Sequence, residues 1–350
     1  GGGASVCGLS AVLPSGASSA DLAWRVSSCG ADLITEVPAS RWEADAHHVG
    51  DASVASRARH GGFMVDAQLF DGAFFGVSAA ESASIDPQQR LLLEGGYAAL
   101  HGASERRASL MGGLVGVFVG IASSDYAEVL ASTPAGKSVY AATGSAHSIA
   151  AGRLSYVLGL HGPCVAYDTA CSAGLVASHA ALRALRGGEC TPALSSGVNV
   201  MLTPALSLSF AVAGMTSTLG RSHTFDCRAD GYARAEACCA LALAWTGGED
   251  ASAIASLAGS CVRQDGRSAS LTAPNGQAQQ GLLAASLADA SISADELGCA
   301  EAHGTGTSLG DPIEARSLAV SVLAARDAPG RGGPLPIGSV KANAGHPEPG

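Results

Sequence analysis

No stretch of the 350 residues holds the roughly 18 uninterrupted apolar positions of a membrane span, even around Cys238 to Trp245, so the sequence predicts a soluble protein. Lys/Arg runs are missing too, and the net charge is −10. The counterion-release attraction that drives nucleic-acid binding therefore has no footprint. Of the ten cysteines none forms a CxxC pair or the tight spacing of a zinc site, which argues against a metal centre and for reduced thiols in an intracellular, most simply cytoplasmic, compartment. The chain opens on Gly1-Gly2-Gly3 without a methionine and lacks the basic and apolar regions of a secretory signal. It reads as excised from something longer, so organelle targeting is undetermined.

What is present is a large apolar inventory. With 47% hydrophobic and 14% charged residues the chain buries a sizeable core, and at about 150 residues per domain its length suggests two domains or one duplicated one. Aromatics are few while glycine and alanine abound, a composition for close packing of helices on sheets. Apolar runs at Val6–Val12, Val115–Ile121, Val165–Tyr167, Ala193–Leu202, Ala237–Trp245, Ser256–Val262, Leu297–Ala300 and Leu335–Val340 read as strands. Several are continuous rather than alternating, as strands covered on both faces must be, and helical periods lie between them. This is an α/β pattern. The polar turn Gly247-Gly248-Glu249-Asp250 is the best internal boundary.

Three stretches carry candidate chemistry. In "DTACSAGL", Asp168 to Leu175, a cysteine stands where an extended run turns helical. Leu175, His179, Leu182 and Leu185 then recur at helical steps, Arg183 and Arg186 follow, and Gly187-Gly188 ends the pattern. Cys171 is thus expected at a helix N-terminus, where unpaired N–H groups and the dipole lower a thiol pKa and can hold an oxyanion. The same small residues also suit an inert, tightly packed turn, and this stretch alone leaves both readings open. In "EAHGTGTSLGDPIEA", Glu301 to Ala315, His303 follows a short strand, bare glycines let a long thin substrate approach, Thr305 and Thr307 offer hydroxyls, and Asp311-Pro312 opens a helix. The glycines miss the GxGxxG spacing, so no phosphate loop is expected. In "GSVKANAGHPEPG", Gly338 to Gly350, a strand delivers Lys341, and the chain then reaches His346. One cysteine and two histidines at the ends of separate strands form the kind of group that a rigid sheet brings together.

With these motifs the sequence resembles the β-ketoacyl synthases, specifically ketosynthase domains of multidomain polyketide synthases, over nearly its whole length. "ITEVPASRW", "FFGVSAAESASIDPQQRLLLE", "GVFVGIASSDYAE", "GPCVAYDTACSAGLVASHAAL", "GMTSTLGRSHTFDCRADGYARAEA" and "LTAPNGQAQQ" precede the two histidine motifs in order. Fatty-acid synthases share the chemistry, but "DPQQR" and "HGTGTSLGDPIE" resemble the polyketide branch. The resemblance implies a thiolase-like five-layer αβαβα fold of two similar halves, residues 1–246 carrying Cys171 and residues 247–350 carrying both histidines, usually as a homodimer. It implies that Cys171 takes an acyl chain from the phosphopantetheine of an acyl carrier protein, and that His303 and His346 bind the malonyl thioester carbonyl as carbon dioxide leaves. Lys341 matches the lysine that orders the histidine site, and Thr305 and Thr307 match hydroxyls lining the pantetheine arm. No metal and no directly bound cofactor are expected.

Departures from the family pattern are Pro347 after the second histidine, Ala235 for a glycine and Ala344 for a larger aliphatic residue. The family also continues past the position of Gly350 with a helix, strands and a glycine-rich loop that helps form the oxyanion hole. The second half is therefore expected to be incomplete here, and residues 1–350 expressed alone to fold partly and lack condensation activity. Three rivals follow. Gly306 to Gly310 fits GxSxG, which would make Ser308 a hydrolase nucleophile with Asp311 and His346 behind it, but His303 to Gly306 intervene between strand and serine. A non-catalytic ketosynthase scaffold is the second. A thiolase, the third, lacks a candidate for its second active-site cysteine.

Overall fold

The computed structural model describes residues 3–43, 52–245, 253–326 and 333–350. The boundary expected at Gly247 to Asp250 lies outside them. The centre of the fold is a six-stranded mixed sheet built from β1 (Ala4–Val12), β2 (Gly116–Gly120), β3 (Cys164–Tyr167), β4 (Pro192–Asn199), β5 (Ala237–Ala244) and β6 (Ala255–Leu257), in the order β3-β2-β4-β5-β1-β6. β2 pairs in parallel with β3 and β4, whereas β5 is antiparallel to β4 and β1. Successive side chains go to opposite faces. Val117, Val119, Leu194, Val198, Cys238 and Ala240 pack against helices α1 (Pro87–Gly102) and α2 (His147–Leu158), contributing Leu92, Leu93, Leu100, Leu154 and Leu158. Phe118, Ala193 and Leu243 face α3 (Ala173–Gly187) on the other side. The unbroken apolar run of β2, and the burial of nearly every residue of β4, are thus explained by cover on both faces.

The sequence places α3 and its end correctly: Gly188, in the left-handed region at φ 72°, terminates it. Its buried face differs from the leucine stripe expected. Ala173, Ala177 and Ala181 join Leu182 and Leu185 against the sheet, while Leu175 is 78% exposed. The small side chains let the helix approach so closely that a Cβ on Gly120 of β2 would sit 2.5 Å from the backbone of Ala173. The sheet thereby holds the N-terminus of α3 at the end of β2.

The second part of the chain is sparser. Helix α4 (Gly276–Ala290), capped by Asn275 Oδ1 accepting the Gln277 and Ala278 N–H groups, packs with α5 (Gly310–Leu318) beside a two-stranded parallel sheet of β7 (Ala300–Glu301) and β8 (Ile337–Gly338). Ala294, Leu318 and Val322 form a small core there. Three expected strands are shorter or displaced. Ser256–Val262 contracts to β6, Leu297–Ala300 moves to β7, and Leu335–Val340 contracts to β8. No residue of these three runs is fully buried, so apolar composition there does not mark a covered strand, and pairing selects only a few residues of each. Lys341 does not end a strand but begins one helical turn, Lys341–Ala344.

Candidate active site

Cys171 lies between β3 and α3, two residues ahead of the first helical residue, Ala173. The turn that presents it is tight. Ala170 adopts φ 52°, its N–H donates to Asp168 Oδ1 at 3.1 Å, and Ser172 Oγ donates to the Thr169 carbonyl at 2.9 Å. A non-glycine residue in that region costs on the order of 1–3 kcal/mol, sustained here by the sheet on one side and the helix on the other.

His303 follows β7. Its N–H and that of Gly304 donate to the two carboxylate oxygens of Glu314 on α5, at 2.6 and 2.8 Å, so the helix clamps the turn bearing the imidazole. Gly304 and Gly306 have φ of 47° and 81°, which accounts for the glycines of this loop. The loop is tied to the first part of the chain by Thr224 Oγ1 donating to the Gly304 carbonyl at 2.5 Å and Gly231 N–H to the Gly306 carbonyl at 3.0 Å. His346 is held in the same way, its N–H donating to the Ala233 carbonyl at 2.7 Å and its carbonyl accepting from Ala235 N–H at 2.9 Å.

These elements deliver the three side chains to one cavity of about 530 Å³, which Lys341 also lines. Cys171 Sγ and a ring nitrogen of each histidine all lie within 4.8 Å of one another, close enough for one small group to touch all three. The imidazole rings meet edge to face at 5.4 Å, and Tyr232 covers the far side of His346 at 5.3 Å. Cys171 and His303 keep accessible surface toward the cavity while protein atoms crowd them elsewhere; His346 is buried.

Burial sets the protonation states. It pulls His303 below the ordinary histidine value, with Lys341 acting in the same direction, and pulls His346 well below it, reinforced by His303, Lys341 and Arg234. Both imidazoles are therefore neutral at pH 7. Burial also lowers Lys341, against the pull of Glu301 and Glu314. The expectation for Cys171 is reversed. Desolvation pushes the thiol above its ordinary value, Glu348 adds to that, and a backbone hydrogen bond and Lys341 only partly offset it. Cys171 therefore rests as a thiol.

A Cys-His-His trio at this spacing also has the composition of a metal site. However, His346 Nδ1 accepts the Glu348 N–H at 3.3 Å, so in the neutral ring the proton sits on Nε2. That nitrogen offers a donor for a carbonyl oxygen rather than a lone pair for a cation. Thr305 and Thr307 do not line this cavity. Thr305 is buried, while Thr307 lines a second cavity of about 420 Å³ with Phe225, Ser308 and Asp311, its Oγ1 accepting the Gly310 N–H at 3.1 Å. The hydrolase constellation is not assembled. Asp311 accepts backbone N–H groups of Gly306, Thr307 and Phe225, and Ser308 lies in the second cavity, away from His346. The sequence reading missed Glu314, although it stands one turn after Asp311 in a motif already singled out. It also missed Tyr232, Arg234 and Glu348, for which spacing gave no signal.

Comparison with known proteins agrees with this architecture. The family model for the beta-ketoacyl synthase N-terminal domain matches residues 4–246, and that for the C-terminal domain matches residues 254–350. Polyketide synthase GfsB of Streptomyces halstedii is 43% identical over 347 residues, 97% of this chain and 6% of that protein. Pikromycin polyketide synthase component PikAII of Streptomyces venezuelae is 41% identical over 97% of this chain and 9% of its own length. Among solved structures, the ketosynthase from module 6 of the bacillaene synthase of Bacillus subtilis 168 superposes with a TM-score of 0.89 at 32% identity, covering 99% of this chain and 58% of that one. The oxazolomycin ketosynthase domain OzmH KS7 of Streptomyces albus gives 0.88 at 35% identity, covering 99% and 61%. The chain thus spans a small part of these curated relatives and about three-fifths of the solved chains.

Proposed function

This chain belongs to the β-ketoacyl synthase family, and from that premise we propose that it catalyses decarboxylative Claisen condensation in polyketide chain elongation. The carrying observation is the convergence of Cys171 with two neutral imidazoles in one cavity. In the first step the Cys171 sulfur attacks the thioester carbonyl of an acyl chain on a carrier-protein phosphopantetheine. A new C–S bond forms, the pantetheine C–S bond breaks, and the cysteine proton leaves with the pantetheine thiol. In the second step His303 and the Nε2–H of His346 hold the thioester carbonyl oxygen of a malonyl unit while its carboxylate departs as carbon dioxide, leaving an enolate. The enolate carbon then attacks the Cys171 thioester. A C–C bond forms, the Cys171 C–S bond breaks, and the sulfur takes up a proton, leaving a 3-ketoacyl chain on the carrier.

Residues 1–246 serve in this reading as the half carrying the nucleophile and residues 247–350 as the half carrying both histidines, within the five-layer duplicated arrangement. Lys341 orders the histidines. Thr305 and Thr307 border the path of the pantetheine arm, the Thr307 O–H being able to donate to it. The partners are an acyl carrier protein and a second copy of the chain. The dimer is supported by the outer edge of β3, where Cys164 and Val165 are exposed beside Tyr156 of α2. Ten free cysteines suit a cytoplasmic setting, and no helix of the described residues is long and apolar enough to cross a membrane. The test is intact-protein mass spectrometry after incubation with an acyl-carrier thioester. Expressed together with the further segments that the family carries past the position of Gly350, the wild type is expected to gain one acyl mass on Cys171 and, with malonyl carrier, to form a 3-ketoacyl chain on the carrier. Cys171→Ala is expected to do neither; acylation that persists in this variant overturns the assignment.

A further inference from the structure

His346 is steered by residues beyond those that converge in the cavity. Arg234, 3% exposed, forks onto Glu348 through Nε to Oε1 at 2.6 Å and Nη2 to Oε2 at 2.8 Å. Its third nitrogen donates to Ser207 Oγ at 2.8 Å, and its guanidinium lies 5.2 Å over the Phe210 ring. All three nitrogens of this buried cation are engaged, and one of its faces meets a ring. The backbone on either side of Arg234 is the same segment that brackets His346, through the Ala233 carbonyl and the Ala235 N–H.

Glu348 stands in an unfavourable conformation. Its φ is 56°, in the left-handed region that non-glycine residues seldom adopt, and Pro349 follows, which restricts the preceding residue further. Such strain persists only where the surroundings over-determine it. Two features do so here. Arg234 grips the carboxylate bidentately, and the Pro349 carbonyl seats against Gly174 and Gly197, where a Cβ would lie 2.6 and 2.1 Å from it. The result of the strained turn is that the Glu348 N–H faces back onto His346 Nδ1 at 3.3 Å.

We propose that Arg234 and Glu348 are a positioning pair that locks His346 in the Nε2–H tautomer and aims that donor at the reacting carbonyl. The pair acts through His346 and touches no reacting atom. Without the fork, Glu348 relaxes from its left-handed turn, its N–H leaves Nδ1, and the proton is shared between the two ring nitrogens. The kinetic consequence rests on the reading of the cavity as a condensing site, whereas the tautomer does not.

The test is ¹⁵N NMR of the full chain labelled at histidine ring nitrogens, with the His346 signals assigned by their loss in His346→Gln. The wild type is expected to show a single Nε2–H tautomer. Glu348→Ala and Arg234→Lys, which keeps the charge but loses the fork, are each expected to show mixed tautomers. Carbon dioxide release from malonyl carrier is expected to fall about 100-fold in both, the effect of a small misplacement at a reacting centre, with acyl loading of Cys171 retained. If Glu348→Ala fails to fold, Arg234→Lys and Glu348→Gln carry the same readout. A folded variant of either position with the single wild-type tautomer and wild-type carbon dioxide release overturns the proposal. Mixed tautomers in a protein that releases no carbon dioxide even as wild type would support the pair and overturn the condensing reading instead.

Discussion

In the first part of the chain, up to Ala244, five paired strands, extended at one edge by β6 from beyond it, separate two apolar cores, and α1 alone buries ten of its sixteen residues. In the second, two two-residue strands pair with each other, and the fifteen residues of α4 include none that is fully buried. The same cavity draws on both. Cys171 is placed by packing, through Gly120 and the alanine face of α3, whereas His303 and His346 are placed by hydrogen bonds, many of them reaching back to residues 222–236 of the first part. Cys171 is thus positioned chiefly by the packing around its turn, whereas the histidines depend on a polar seam. Such a seam is short-range and directional, so small changes along it should act on chemistry before they act on the fold.

The larger of two effects that probe this contrast concerns the packed side. Because burial raises the Cys171 pKa above its ordinary value, the thiolate fraction grows with pH throughout the neutral range, and iodoacetamide labelling of Cys171 should rise about 100-fold from pH 7 to pH 9. Peptide mass spectrometry measures it. A plateau below pH 8 would mean that the helix N-terminus outweighs desolvation, as the sequence alone suggested. The smaller effect concerns the seam. Gly197→Ala sets a Cβ 2.1 Å from the Pro349 carbonyl, a backbone atom, and forces residues 347–350 to move. Thermal unfolding should register an overpacking cost of about 1–3 kcal/mol, with condensation reduced about tenfold by the shift of His346. Gly152→Ala on α2, where a Cβ meets nothing within 4 Å, is the control and should leave both unchanged or raise stability by up to about 1 kcal/mol. Unchanged condensation in Gly197→Ala would break the link between the seam and the chemistry.

How far the molecule was legible from its sequence follows the same divide. The long strands β1, β2 and β5, the start of α3 and its glycine stop were readable because continuous apolar runs and helical periods persist over many residues. Motif order led to Cys171, His303, Lys341 and His346 together, and the cavity brings all four to its lining. The displaced β7 and contracted β8 were not readable, since a two-residue strand leaves no period to count. Nor was the protonation of Cys171, because the dipole at a helix N-terminus is visible in a motif while the crowding that desolvates a thiol is not. The Arg234–Glu348 fork joins residues 114 positions apart. Nothing local in "GYARAEA" or "GHPEPG" announces it.

The measurement closest to the central claim separates the two half-reactions in the same variants. Radiolabelled acyl transfer to Cys171 and carbon dioxide release from malonyl carrier should be followed in His303→Ala and His346→Ala, each checked for folding. Neutral imidazoles that act on the malonyl carbonyl predict that acyl loading stays within about threefold of wild type while carbon dioxide release falls about 100-fold or more. Loss of acyl loading in both folded variants would contradict the account, for it would make the histidines activators of the thiol rather than holders of the malonyl carbonyl.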